Sequence, residues 1–134
     1  MATLDRDLFD YLASETGFTE GTDIFRGPYP PEQPDNAVAV ILRLGGTEAA
    51  DRWATPRLQV LIRSRSQDWA LGALSKVRSA LAANYAVTLG SQTLHGSFER
   101  SSGFVGFDSR QRREYSANYD LVTQFLVGPP GVNS

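Results

Sequence analysis

Few residues in this sequence can do chemistry. The single histidine, His95, lies in the segment TLHGSFE (93–99), and there is no cysteine. Without cysteine, disulfides, iron–sulfur clusters, thiol nucleophiles and cysteine-based zinc sites are excluded. With one imidazole, so is any site that needs two. A strand over 93–99 puts His95 on one side with Thr93, Ser97 and Glu99. That polar face lacks the strained G-x-S-x-G elbow and the orienting acid that a serine–histidine site requires. Asp5, Asp7 and Asp10 spread over the solvent side of a helix, where they suit its N-terminal dipole rather than a converging Mg²⁺ site. Gly45-Gly46 is a turn, and no phosphate-cradling or dinucleotide fingerprint occurs. The sequence therefore reads as a non-enzymatic protein with no catalytic residue, metal site or cofactor.

What remains is contact chemistry. Twelve of the thirteen cations are arginine, the residue suited to planar, bidentate partners. Arg57, Arg63 and Arg65 form a row along one predicted strand with Leu61 between them. Such a mixture suits a protein–protein contact or a solvated sheet face. Arg110, Arg112 and Arg113 cluster in DSRQRREY, where they could meet an acidic partner or nucleic acid. Three arginines supply only a few phosphate contacts, and a net charge of −2 opposes binding DNA by bulk electrostatics. Trp53, Tyr29 and the Pro-Pro steps at 30–31 and 129–130 are either loop anchors for a partner or local packing over the core edge. The candidate interface residues are Trp53, Arg57, Arg63, Arg65, Arg110, Arg112 and Arg113.

The elements that must position these residues follow from periodicity. A chain of 134 residues is one domain. Its 41% hydrophobic and 21% charged residues are ordinary for a globular fold. No apolar run approaches the ~20 residues of a membrane helix, and the acidic start MATLDRDLFD is neither a signal nor a transit peptide. Leu4, Leu8, Tyr11 and Leu12 share a face, predicting a helix over 4–16 with Thr3 as cap and Gly17 as stop. TDIFRG (22–27) is a short extended piece, and GPYPPEQPDN (27–36) is an ordered connection outside any ladder. AVAVILRL (37–44) is a central strand, 46–56 a loop, and RLQVLIRS (57–64) a strand with Leu58, Val60 and Ile62 on one face. A second helix over about 67–84, capped by Ser66 or Asp68, packs through Ala70, Ala73, Leu74, Val77 and Leu81. Strands at 86–89 and 93–99 form a hairpin, 101–113 is a turn region, and 114–127 is the last strand with Tyr115, Ala117, Tyr119, Leu121 and Phe125 inward. The fold class is α+β: a mostly antiparallel or mixed sheet of about five to six strands with two helices packed on it. Residues 1–127 form the single domain, and 128–134 an extended C-terminal tail.

The segments PPEQPDNAVAV (30–40), PRLQVLIRS (56–64) and SGFVGFDSRQRREYSANYDL (102–121), with an alanine-rich helix between the last two, form a combination. It resembles the tail terminator or minor capsid proteins of long-tailed bacteriophages over about residues 4–126. Pro34, Asp35, Asn36, Gln59, Val60, Arg63, Asp108, Arg113, Tyr115 and Tyr119 match that pattern. The resemblance implies an α+β structural protein of the virion that assembles as a homo-oligomeric ring, usually a hexamer, on the head-proximal end of the tail tube. It implies as partners the major tail tube protein and a head–tail connector or stopper protein, with genomic DNA passing through the lumen unread. It further implies assembly in the bacterial cytoplasm without a membrane. On this reading the last strand and the 57–65 strand contribute to ring contacts, while loops 45–56 and 103–113 engage partners above or below. Another neck component, or a small cytosolic ligand-binding domain, are the alternatives.

Overall fold

The first helix, α1 (Leu4–Thr16), places Leu8, Phe9 and Leu12 in the core and ends where expected. Gly17 takes φ +80° and its N–H bonds back to the Ala13 carbonyl, a left-handed stop that glycine adopts at little cost. This computed structural model describes residues 4–43, 53–54, 56–82, 87–89 and 92–125. The proposed Thr3 cap and the tail 128–134 lie outside them. No helix among the described residues is long and apolar enough to cross a membrane.

After α1 come strands β1 (Ile24–Arg26), β2 (Ala37–Arg43), β3 (Trp53–Ala54) and β4 (Arg57–Ser64). Helix α2 (Gln67–Leu81) and strands β5 (Val87–Leu89), β6 (Gln92–Phe107) and β7 (Arg113–Phe125) complete the described elements. The sheet runs β1-β2-β4-β7-β6-β5, with β3 pairing β7 beyond the end of β4. Among the described strands, β1 pairs β2 in parallel and the other pairs are antiparallel. The fold is therefore α+β with a mixed, curled sheet. The 46–56 loop contains a short strand: β3 and β4 follow one another along the same edge of β7. Pro56, which has no N–H for a ladder, separates them and gives its carbonyl to Leu121 N–H instead.

Register aligns the apolar alternation of β1, β2, β4 and β7. One face carries the rows Ile24–Val38–Ile62–Tyr115, Val40–Val60–Ala117 and Leu42–Leu58–Tyr119. Helix α2 covers this face over β4 and β7, and α1 packs on α2, β5 and β1. Ser66 caps α2 by accepting the Trp69 N–H, and the predicted stripe Ala70, Ala73, Leu74, Val77, Leu81 is buried, together with Ala80. The helix stops at Leu81, short of the expected 84.

One expectation is corrected. The segment 101–113 is not a turn region, because β6 continues to Phe107 and only 108–112 turns. Bulges between Leu94 and Gly96, Glu99 and Ser101, and Phe104 and Gly106 break the alternation three times. The polar face expected around His95 is split by the first bulge. Leu94 and Ser97 both end up on the helix side, opposite Thr123 and Leu121, with Thr93 on the other.

Leu12 is fully enclosed between α1 and the sheet. Leu12→Ala is expected to cost about 3 kcal/mol in urea unfolding, whereas Ala at exposed Leu71 should change stability by about 0.5 kcal/mol or less.

Candidate functional site

Residues 27–36, between the parallel strands β1 and β2, hold four prolines and lie outside the strands. Carbonyls in such a segment have no ladder partner and need donors from elsewhere. Two arginines supply them. Arg63 Nη1 donates to the Pro30 carbonyl at 2.7 Å, and Nη2 to that of Pro34. Arg112 Nη1 donates to the Glu32 carbonyl at 2.8 Å, and Nη2 to that of Pro31. Both residues are only 1% exposed. The strap thus folds over the sheet face opposite the helices, closing over Ala37, Ala39 and Arg63, all buried there.

Carboxylates and a phenol complete the clamp. Asp108 Oδ2 accepts Arg112 Nε at 2.7 Å, and its Oδ1 accepts the N–H groups of Arg110 and Arg112, which shapes the β6–β7 turn. Burial works against the Asp108 charge, but these hydrogen bonds outweigh it and hold the carboxyl below its ordinary range. The Arg63 guanidinium lies 4.3 Å over the Tyr29 ring, a stacking that suits arginine's flat charge. Tyr29 donates to Glu114 at 2.6 Å; burial first, and that bond second, raise the phenol's pKa. Ser64 donates to Asn36 at 2.5 Å and also accepts the Ser66 N–H, tying the strap to the start of α2. Arg65 pairs with Asp35 at 3.0 Å.

The structure therefore divides the seven candidate interface residues. The expected exposed arginine row does not exist: Arg63 is sealed under the strap, because that face of β4 is where the strap's carbonyls need a donor. Arg112 is likewise interior rather than part of a solvent-facing cluster. Arg110 is exposed, and Arg113 is half-buried with its guanidinium 5.1 Å over Phe107. Arg65 is half-exposed and Arg57 largely exposed, near Asp120 at 3.5 Å. Trp53 pairs with Gln124 in β3.

Two surface features were not singled out from the sequence. On the strap side of the sheet, beyond the strap, Arg43, Arg57 and Arg100 line an open groove of about 310 Å³ around Asp120. The second is the free edge of β6. Past β5, only β7 pairs with β6 among the described residues. That edge exposes Phe98 (62%), Phe104 (49%), Val105 (64%) and Phe107 (53%). Phe104 packs edge-on against Phe107 and Tyr115, each at 5.4 Å between ring centres. No group of three or more His, Cys, Asp or Glu that could hold a metal lies among the described residues.

With this geometry in hand, comparison with known proteins gives a family. Residues 11–125 match the model of the bacteriophage tail terminator protein family. The chain belongs to the bacteriophage tail terminator family. That makes it a structural component of a phage-type tail, built to assemble with other virion proteins. Among solved structures, it is similar to a chain of the virion of a native gene transfer agent particle, with 16% identity, a TM-score of 0.56 and 84% of each chain covered. That likeness bears on the fold. A crystal structure from Akkermansia muciniphila is 9% identical with a TM-score of 0.39; the match covers 70% of this chain and 44% of that one. No curated protein matches the sequence. Several of the residues that carry the terminator resemblance, namely Pro34, Asp35, Asn36, Arg63 and Asp108, are members of the strap clamp.

Two tests follow for this terminator-family clamp. Arg63→Met leaves the Pro30 and Pro34 carbonyls without their donor and should cost about 3 kcal/mol in chemical denaturation. Folding raises the Tyr29 pKa, so its contribution is whole below the ordinary phenol value of about 10 and is lost as pH climbs past it. Tyr29→Phe should weaken the alkaline fall in thermal stability, measured from pH 8 to 11; an unaltered slope would contradict the assignment.

Proposed function

We propose that this protein closes the head-proximal end of a phage tail tube as a homo-oligomeric ring, with the hexamer as the expected form. In doing so it stops tube growth and presents the surface to which a head–tail connector or stopper protein joins. The observation that carries the reading is the family match across residues 11–125. The geometry supports it through a clamped domain whose sheet carries helices on one face and exposed aromatics along the β6 edge.

The physical logic is that of a cap. A stack of identical rings grows until a subunit matches it on one face and fails to match on the other. Weak contacts repeated around a ring become firm attachment through multivalency. Genomic DNA would pass through the lumen without being read, which suits a chain with a net charge of −2. We read no catalytic step into this role.

Particles assembled without this protein are expected to carry overlong tails in electron micrographs. Tails of normal length that fail to join heads would reassign it to a neighbouring neck position.

A further inference from the structure

Among the described residues, four of the five large exposed apolar side chains lie on one strand, in residues 98–107 of β6. Their placement is informative. Phe98 stands opposite Asp120, on the strap side of the sheet, whereas Phe104 and Phe107 stand opposite Tyr115 and Arg113, on the helix side. Apolar groups on both sides of one edge strand are covered together only by a partner that meets the edge itself. A ligand lying on either face would leave half of them wet. The strip is also held in place: Arg78 of α2 bonds Glu99 at 2.7 Å and Ser102 at 2.9 Å. Exposed aromatics on a braced edge mark a contact surface.

Charge indicates what the partner is. Beside Phe98 lies the groove where three arginines, Arg43, Arg57 and Arg100, surround a single carboxylate, Asp120. The opposite balance occurs on α1, whose sequence LDRDLFDYLASET carries four carboxylates against one arginine. That arginine, Arg6, is engaged by Asp10 and Glu20. Asp10 and Glu15 are exposed on a groove between α1 and β5. A chain of small net charge thus keeps a cationic edge and an anionic helix apart on one body. Such segregation suits a head-to-tail contact, in which each copy offers unlike patches to its two neighbours.

We propose that the free edge of β6, with Phe98, Val105, Arg57 and Arg100, is the seam of the ring. Its occupant is a second copy of this chain, seated through the acidic surface of its α1. The proposal rests on the ring reading above and names the two surfaces that would close it.

The test is a charge swap in full-length protein, read by native mass. The wild-type chain should associate. Arg57→Glu with Arg100→Glu should lower association at least about tenfold by setting like charges against α1, and so should Asp10→Arg with Glu15→Arg. Mixing the two variants should restore assembly, because one variant's reversed edge then faces the other's reversed helix. A Phe98→Ser, Val105→Ser variant should dissociate while its circular dichroism and melting stay as in the wild type. The seam is overturned if the charge variants assemble normally, if their mixture stays apart, or if the apolar variant still associates. A wild-type chain that remains single at every concentration overturns the ring itself, an outcome separable from loss of the seam alone.

Discussion

Two guanidinium groups buried against proline-segment carbonyls hold this structure together. Taking an arginine charge out of water is costly unless nearly every donor finds an acceptor. Arg112 meets that condition through all three nitrogens and Arg63 through its two terminal ones, its buried Nε having no acceptor, because the strap turns its Pro30, Pro31, Glu32 and Pro34 carbonyls inward. The dependence is mutual. The strap's carbonyls have no strand partner, and the arginines have no other acceptors of that number. From this point the contacts spread to the Tyr29–Glu114 bond, the Asp108 turn, and the Ser64–Asn36 bond that leads into α2. The two arginines also repel each other, and burial pulls the Arg63 pKa down, so the surrounding oxygens matter to both.

The clamp also makes the sheet two-faced along its length. Over β2 and the start of the β4–β7 pair, the strap lies on one side and the helices on the other. Farther along, the strap side opens into the Arg43–Arg57–Arg100 groove, while the stretch of β6 that β5 does not reach runs back beside β7 over residues 113–122. The sheet therefore passes from fully covered to bare on its way to the β6 edge. A subunit of a phage-type tail needs such a gradient: an interior that keeps its shape, and a border left for other proteins.

Much of the fold was legible in the sequence because its signals are local. Leu8 and Leu12 at helical spacing, Gly17 as a stop, Ser66 as a cap, and Leu58, Val60 and Ile62 alternating all specify their elements within a few residues. The course of β6 was not legible. Bulges at three places shift its alternation, and Gly96 and Gly106, which look like turn residues, adjoin two of them. The burial of Arg63 and Arg112 is illegible for a related reason. Position along β4 assigned Arg63 to the face away from the core, correctly, but the assumption that this face meets water fails there. What covers it is a segment far along the chain's course, and its carbonyl acceptors exist whatever the side chains, so no residue type announces them. Arg112 and its near neighbour Arg110 have the same composition signal; only the Asp108 turn sends one inward and the other out.

The bulges of β6 have a consequence for how the edge behaves among many copies in a crowded cell. A flat, regular, aromatic border is a template on which any extended segment can stack without limit, as in amyloid. Here the spacing of backbone donors and acceptors changes after Leu94, Glu99 and Phe104. A stray strand can match at most a few residues before falling out of step. The irregularity acts as a filter, rejecting endless fibre growth while leaving the aromatic side chains available to a surface shaped to receive them.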